Sequence, residues 1–352
     1  MRSRPVTVPP CRRGIASLAV LSLAAFGLSC SNGGSAGESA GSDVTVEGTD
    51  GDTTTSTTTP SAMNLPNVVV TYSVLGAFVQ QLLADHADVT VLIPDGQDPH
   101  DFEPSPRDIE RINEAVLVVA NGLDLEEGLD DALTTAQESG VPVFFVADHV
   151  QLLDVVDVND HSDHGHDHAG AQTPHSHDDD GHAHQHSEDP HFWLSPATML
   201  EALPALVDAA RVALGVDLAS DGTALAEELA AVDTELATRF DALDDCQLVT
   251  GHNELGYFAQ RYGCRVIAAI LASPSTTAEE SAGNVEFVID VIKTHGAKAV
   301  FTSLGTNPAV AKQVADAAGV KLVEINTHFL GDTARYVDFI RSLGTTIAES
   351  LG

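Results

Sequence analysis

The sequence is poor in basic residues. It contains 16 Lys and Arg against 52 Asp and Glu, which gives a formal net charge of −36 over 352 residues. A field of this sign repels nucleic acid and anionic lipid headgroups, and it attracts cations. The shortage of positive charge therefore argues against a protein that binds nucleic acid or an anionic membrane surface.

Long apolar runs are scarce as well. The run from Ile15 to Leu28 follows several arginines and is short for a membrane span, so residues 1–30 are predicted to be a secretory signal. Cys30 follows small residues in a pattern that resembles a bacterial lipoprotein cleavage site, which predicts lipidation of Cys30. The alternative is simple secretion with a nearby cleavage. No later segment is long and apolar enough to cross a bilayer.

Cysteines are few, and half of them belong to this leader. Cys11 and Cys30 precede the mature chain, so only Cys246 and Cys264 remain. Export places this pair in an oxidising space, and both residues precede successive predicted strands. A disulfide between Cys246 and Cys264 is therefore expected, with two buried thiols as the alternative.

Residues 31–64 have almost no apolar side chains and are rich in Gly, Ser, Thr and Asp. Such a segment cannot bury a core and is predicted to be a disordered tether. With 43% apolar residues, the whole chain is long enough for one or two packed cores.

Beyond the tether, strand and helix patterns alternate, which predicts an α/β fold with mostly parallel sheets. Two similar lobes are expected, at residues 65–216 and 245–352, with a long linking helix at 217–244 between them. Strands are predicted at 67–72, 88–93, 115–120, 143–146, 247–250, 265–270, 299–302 and 321–325. Helices are predicted at 73–84, 105–113, 125–139, 196–214, 220–243, 254–262, 282–295, 308–318 and 333–350. Ligands of such sheets bind beyond the carboxyl ends of the strands.

Histidine is concentrated in one segment, residues 160–188, between the first lobe's strands and its last helix. Imidazole is the commonest protein ligand for zinc and related metals, so this segment is predicted to be an accessory, weakly metal-binding loop. The alternative is a solvated linker without a ligand. Its nine histidines are His161, His164, His166, His168, His175, His177, His182, His184 and His186.

Four further histidines lie on short loops near predicted strand ends, two in each lobe. His100 and His191 each close an Asp-Pro-His sequence, His252 follows Gly251, and His328 follows Thr327. The repeated motif and the shared placement favour one metal site in the cleft between the lobes.

These segments resemble a known family, the zinc-specific solute-binding proteins of ABC transporters, the ZnuA type, also called cluster A-I. The resemblance runs from about residue 67 to the C-terminus. It rests on the segments Asp98–Asp108, Asn121–Leu123, Asp189–Pro196, Thr250–Phe258 and Arg261–Gly263, and on the His-rich loop before the second Asp-Pro-His.

The resemblance implies that His100, His191 and His252 bind one metal ion between the lobes. Many relatives have Asp where this chain has His328, so His328 is expected to be the fourth ligand, with Asp332, Glu324 or water as alternatives. Four neutral imidazoles suit tetrahedral Zn²⁺. Asp98 and Asp189 are expected either to orient the rings or to cap their loops. Zinc affinity is expected to fall below about pH 6.5, the unperturbed pKa of histidine.

The expected function is a high-affinity extracytoplasmic zinc receptor, a lipid-anchored monomer that delivers Zn²⁺ to an ABC permease and its ATPase. It is not expected to be an enzyme, and no catalytic residues are assigned. A receptor for manganese or another divalent metal, a surface protein for zinc buffering or adhesion, and a zinc hydrolase are the alternatives. A metallochaperone is considered as a further partner.

Overall fold

The computed structural model describes residues 65–156, 158–159, 188–278, 281–303 and 305–352. The predicted signal at 1–30 with Cys30, the predicted tether at 31–64 and the nine histidines of residues 160–187 lie outside the described residues. Predictions for these segments are neither confirmed nor contradicted.

The N-terminal lobe is built on a four-stranded parallel sheet with the order β2-β1-β3-β4. The strands consist largely of valine and other apolar residues, as expected for strands that are covered on both faces. Their bounds are β1 Asn67–Tyr72, β2 Asp88–Ile93, β3 Leu117–Ala120 and β4 Val143–Phe145. The helices of this lobe are α1 Ser73–Leu83, α2 Pro106–Glu114, α3 Asp130–Glu138 and α4 Pro196–Leu214.

The C-terminal lobe repeats this topology, with a parallel sheet in the order β6-β5-β7-β8. Its strands are β5 Gln247–His252, β6 Arg265–Leu271, β7 Ala299–Thr302 and β8 Lys321–Glu324. Its helices are α6 Gly256–Tyr262, α7 Ala282–His295, α8 Pro308–Ala318 and α9 Tyr336–Leu351. Because every strand pair is parallel, the carboxyl ends of the strands in each lobe meet at one edge.

Helix α5, Ala219–Asp241, joins the two lobes. Its buried side chains recur at helical spacing and belong to a hydrophobic core that extends into both lobes: Leu225, Leu229, Val232, Leu236 and Phe240. On its polar side, Glu228 accepts hydrogen bonds from Gln81 of α1 and from Arg335 just before α9. The predicted α/β class with two lobes and one linking helix is confirmed, while the predicted lobe boundaries stay predictions.

Two helices begin at least three residues later than the sequence pattern indicates. The predicted helix at 125–139 starts only at Asp130, after a 3₁₀ turn at Glu127–Leu129. Here the side chain of Glu126 accepts the backbone N–H of Asn121 at 2.7 Å, which fixes a turn in place of a helix. Similarly, α9 starts after a turn in which the Thr333 hydroxyl donates to the Leu330 carbonyl.

Helices long and apolar enough to span a bilayer are absent from the described part of the chain.

Candidate metal centre

The four histidines predicted to bind metal converge in the cleft between the lobes. One possible ligand atom from each of His100, His191, His252 and His328 lies within 4.8 Å of the others. The side chains are buried: His100 is 8% exposed, His328 is 1% exposed, and His191 and His252 are not exposed at all. The structure thus brings together four buried imidazole rings that the sequence places on four separate loops.

Each ring reaches the cleft from the end of a secondary-structure element. His100 lies in a 3₁₀ turn, Pro99–Asp101, after β2, and His191 precedes the 3₁₀ turn Phe192–Leu194. His252 is the last residue of β5, and His328 follows β8. This is the edge of parallel sheets at which ligands bind.

Two distances between ring nitrogens match the spacing of a tetrahedral site. Nε2 of His191 lies 3.4 Å from Nε2 of His100 and 3.4 Å from Nε2 of His252. Nitrogens at tetrahedral corners around Zn²⁺, with Zn–N of 2.0–2.1 Å, would be about 3.3 to 3.4 Å apart. Nε2 of His328 is buried and has no hydrogen-bond partner among the described residues, so it is available as a fourth donor. The rival residues Glu324 and Asp332 are exposed and lie outside this group.

The two Asp-Pro-His motifs share one local contact and differ in another. In both, the aspartate accepts the backbone N–H of the histidine two residues later, at 3.1 Å for Asp98 and 3.0 Å for Asp189. Only Asp189 also contacts the ring, with Oδ1 2.8 Å from Nδ1 of His191. The two roles foreseen for these aspartates are therefore divided: Asp98 caps its loop, while Asp189 caps its loop and orients a ring.

Both aspartates also reach the C-terminal lobe. A Cβ at Gly256 would lie 2.5 Å from Oδ2 of Asp189, and a Cβ at Gly305 would lie 2.6 Å from Oδ2 of Asp98. Glycine at these two positions allows the carboxylates of one lobe to approach the backbone of the other. Both Asp-Pro-His motifs thus pack across the cleft, and the motif of Asp189 also orients its ring.

Glu254 is a site residue to which sequence reasoning assigned no role. Its side chain is fully buried, with one oxygen 3.5 Å from Nδ1 of His252 and the other 3.6 Å from Nδ1 of His328. The hydroxyl of Ser303 donates to the same carboxylate at 2.6 Å. Burial raises the pKa of Glu254 to about 7. The only signal in the sequence was the position of Glu254, two residues after a predicted ligand. This signal is weak, because glutamate is also common at the start of a helix.

The loop that carries His328 is held by the N-terminal lobe. The indole N–H of Trp193 donates to the Thr327 carbonyl at 2.8 Å, and the Tyr336 hydroxyl donates to the Trp193 carbonyl. Trp193 is fully buried, so it serves as core packing beside the site. These contacts keep the fourth ring near the other three.

Burial also changes the protonation of the rings. Desolvation lowers the pKa of His100 to about 3 and places the pKa values of His252 and His328 well below the usual value. A neutral imidazole is the form that binds metal. Protons therefore compete for these three rings only at a pH below the value of about 6.5 expected from an unperturbed histidine.

One side of the site opens to solvent through a pocket of about 680 Å³. Its lining includes His100, the carboxylates of Asp124, Glu127 and Glu188, and Pro274 of the C-terminal lobe. His100 is the most exposed of the four rings and faces this mouth. The carboxylates make the entrance attractive to cations.

The described ends of the His-rich loop are anchored near the site. Glu188 forms an antiparallel bridge with Asp154, and the amide of Asn159 bonds the edge strand β6 at Ala269.

Cys246 and Cys264 are joined by a disulfide with a Cα–Cα distance of 4.6 Å, at the starts of the paired strands β5 and β6.

Comparison with known proteins gives relatives whose names refer to zinc binding or zinc uptake. The zinc-binding protein AdcA of Streptococcus pyogenes is 29% identical over 257 residues, which cover 72% of this chain and 48% of AdcA. The chain thus spans about half the length of the curated relatives of this type. The high-affinity zinc uptake system protein ZnuA of Paracoccus denitrificans is 27% identical over 321 residues, covering 83% of this chain and 94% of that protein.

Among solved structures, the periplasmic zinc-binding protein TroA of Treponema pallidum superposes with a TM-score of 0.68 at 20% identity, covering 82% of this chain and 99% of TroA. At this identity the likeness shows a shared fold. The family model described as "Zinc-uptake complex component A periplasmic" matches residues 68–350. With the two-lobed fold and the four-histidine cleft in place, a match over most of the sequence shows that the chain belongs to this ZnuA family.

Proposed function

We propose that the protein is an extracytoplasmic zinc receptor that captures Zn²⁺ with His100, His191, His252 and His328. The observation that carries the proposal is the convergence of four buried rings, with Nε2 of His191 at the spacing of a zinc tetrahedron from Nε2 of His100 and from Nε2 of His252. The zinc-binding and zinc-uptake names of its relatives support the choice of metal.

The donor set favours zinc over manganese. Imidazole suits zinc, whereas Mn²⁺ prefers carboxylate, carbonyl and water oxygens in octahedral geometry. Four protein ligands would also fill a tetrahedron, which leaves no open position for a substrate. A closed site of this kind suits capture of an ion better than hydrolysis.

Delivery to a membrane permease with its ATPase subunit follows from the family and is the remaining part of the proposal. In this scheme Cys30 anchors the chain to the membrane as a lipoprotein, and the tether at 31–64 allows the lobes to reach the permease. Zn²⁺ enters past the acidic mouth, where His100 is the first ring it meets. The His-rich loop gathers ions nearby with weak affinity.

Metal titration of two variants tests the proposal. One lacks residues 160–187, a deletion that retains the bridge between Asp154 and Glu188; the other is His252→Ala. Structural zinc binding is worth about 10–16 kcal/mol over four ligands, so loss of one should weaken the tight site about 100-fold or more. The deletion should remove weak sites and spare the tight one.

His295→Ala is the matched control, because His295 is exposed at the end of α7 and lies outside the cluster. It should leave the tight site unchanged. If the tight site disappears with residues 160–187 and survives His252→Ala, the cleft is not the receptor site. A hydrolytic activity that His252→Ala abolishes would favour the hydrolase instead.

A further inference from the structure

The four proposed ligands are neutral, yet they surround a buried place for a doubly charged ion. Neutral imidazoles offset none of the +2 charge, and moving an ion from water into a buried site is costly unless opposite charge lies close. The charge balance of the site must therefore come from groups behind the rings.

Two buried carboxylates contact ligand rings in the described part of the chain. Asp189 bonds Nδ1 of His191, and Glu254 faces Nδ1 of both His252 and His328. Both carboxylates lie on the Nδ1 side of their rings, so each can bind an N–H group while Nε2 faces the cleft. Two negative charges would balance one divalent cation.

The carboxylate of Glu254 lies slightly too far from the two rings for hydrogen bonds. Nδ1 of His252 and Oε2 of Glu254 are buried and lack hydrogen-bond partners among the described residues. Nδ1 of His252 faces Oε1, while Oε2 faces Nδ1 of His328, which also has the Thr327 hydroxyl at 3.1 Å. Since buried polar atoms are rarely left unsatisfied, each orphaned atom indicates an interaction with the facing group that needs only a small movement. At 3.5 and 3.6 Å, the two nitrogen–oxygen distances would become hydrogen bonds if each shortened by about 0.5 Å.

We propose that Glu254 is a positioning and specificity-determining residue. It holds His252 and His328 in the tautomer that presents Nε2 to the cleft, and its negative charge makes the site prefer a divalent over a monovalent cation. This inference rests on the proposed function, because it assigns a role within the zinc site.

The test compares binding of Zn²⁺ with binding of Ag⁺, a monovalent cation that also takes imidazole nitrogen, at the tight site. Glu254→Gln keeps the shape of the side chain and removes its charge. It should weaken Zn²⁺ binding about 10- to 100-fold, as other outer-shell changes do. Since Coulomb energy scales with the charge of the ion, Ag⁺ binding should weaken only about 3- to 10-fold.

Two further variants make the result specific. Glu254→Asp restores the charge and should return the Zn²⁺:Ag⁺ affinity ratio toward that of the unaltered protein, even if both affinities fall. Glu126→Gln neutralises an equally buried glutamate that faces no ligand ring and should leave the ratio unchanged.

Equal losses for the two ions in Glu254→Gln, or no loss for either, would overturn the role of Glu254. So would a Glu254→Asp variant whose ratio shifts as far as that of Glu254→Gln. If the unaltered protein itself fails to bind Zn²⁺ tightly, the proposed function fails, and that result is visible before any Glu254 variant is compared.

Discussion

Among the described residues, each lobe contains one glutamate that is almost fully shielded from water, and the two glutamates have different neighbours. Glu126 of the N-terminal lobe is 2% exposed, Glu254 of the C-terminal lobe is not exposed, and burial raises the pKa of each to about 7. Glu126 accepts a backbone N–H from Asn121, whereas Glu254 faces two proposed ligand rings. Burial and a raised pKa therefore do not by themselves identify a functional carboxylate; the groups that it contacts do.

Glu126 supports the site only indirectly. The amide of Asn121 donates to the Pro190 carbonyl at 3.0 Å and accepts from the Tyr72 hydroxyl at 3.0 Å. Glu126 therefore helps to hold a segment that packs under the loop of His191, without touching a ring. Its effects should appear in stability, and those of Glu254 in metal binding.

The largest effect expected from this contrast is on the pH dependence of folding. Between about pH 4.5 and 7, the folded state holds a proton on Glu126 that the unfolded state has lost, so stability falls as the pH rises through this window. A shift from 4.5 to about 7 corresponds to about 3 kcal/mol. Glu126→Gln removes this contribution.

Denaturant unfolding of the metal-free protein at pH 4.5 and pH 8 measures it. From pH 4.5 to pH 8, the free energy of unfolding of the unaltered chain should fall by about 3 kcal/mol more than that of Glu126→Gln. The contribution of Glu254 is the same in both proteins and cancels in this difference. A difference between the two proteins that does not change with pH would show that Glu126 does not titrate in this window.

A smaller contrast concerns the two Asp-Pro-His motifs. Asp189→Ala removes both the loop cap and the contact with the ring of His191, and should weaken zinc binding about 10- to 100-fold. Asp98→Ala removes a cap and no ring contact, and should cost about 1 kcal/mol of stability with a smaller loss of affinity. Zinc titration and denaturant unfolding of both variants give the comparison. Equal losses of affinity would contradict the separate roles of the two aspartates.

Much of this arrangement could be predicted from the sequence. The alternation of short apolar runs with amphipathic segments predicted the strands and helices, and α4 Pro196–Leu214 and α7 Ala282–His295 have the predicted bounds. Histidines after strands could be placed at one cleft because parallel strands end at a common edge. The local sequence pattern is sufficient to predict these helices and strands and the placement of the histidines.

The contacts around Glu254 could not be predicted in the same way. Its carboxylate meets His328, which is far along the chain, and Ser303, which follows a third strand. Only the packing of several loops makes these groups neighbours, and a glutamate before a helix has a simpler local explanation. The division of roles between Asp98 and Asp189 could not be predicted either, because the two motifs are identical in sequence and only the structure shows which aspartate contacts its ring.

Four histidines are proposed to bind one zinc ion in the cleft. X-ray absorption spectroscopy of the protein loaded with one equivalent of Zn²⁺ tests it most directly. We expect four nitrogen ligands at about 2.0–2.1 Å, with outer-shell scattering from four imidazole rings. Sixfold coordination, or a first shell with a carboxylate oxygen or water in place of the fourth ring, would contradict it.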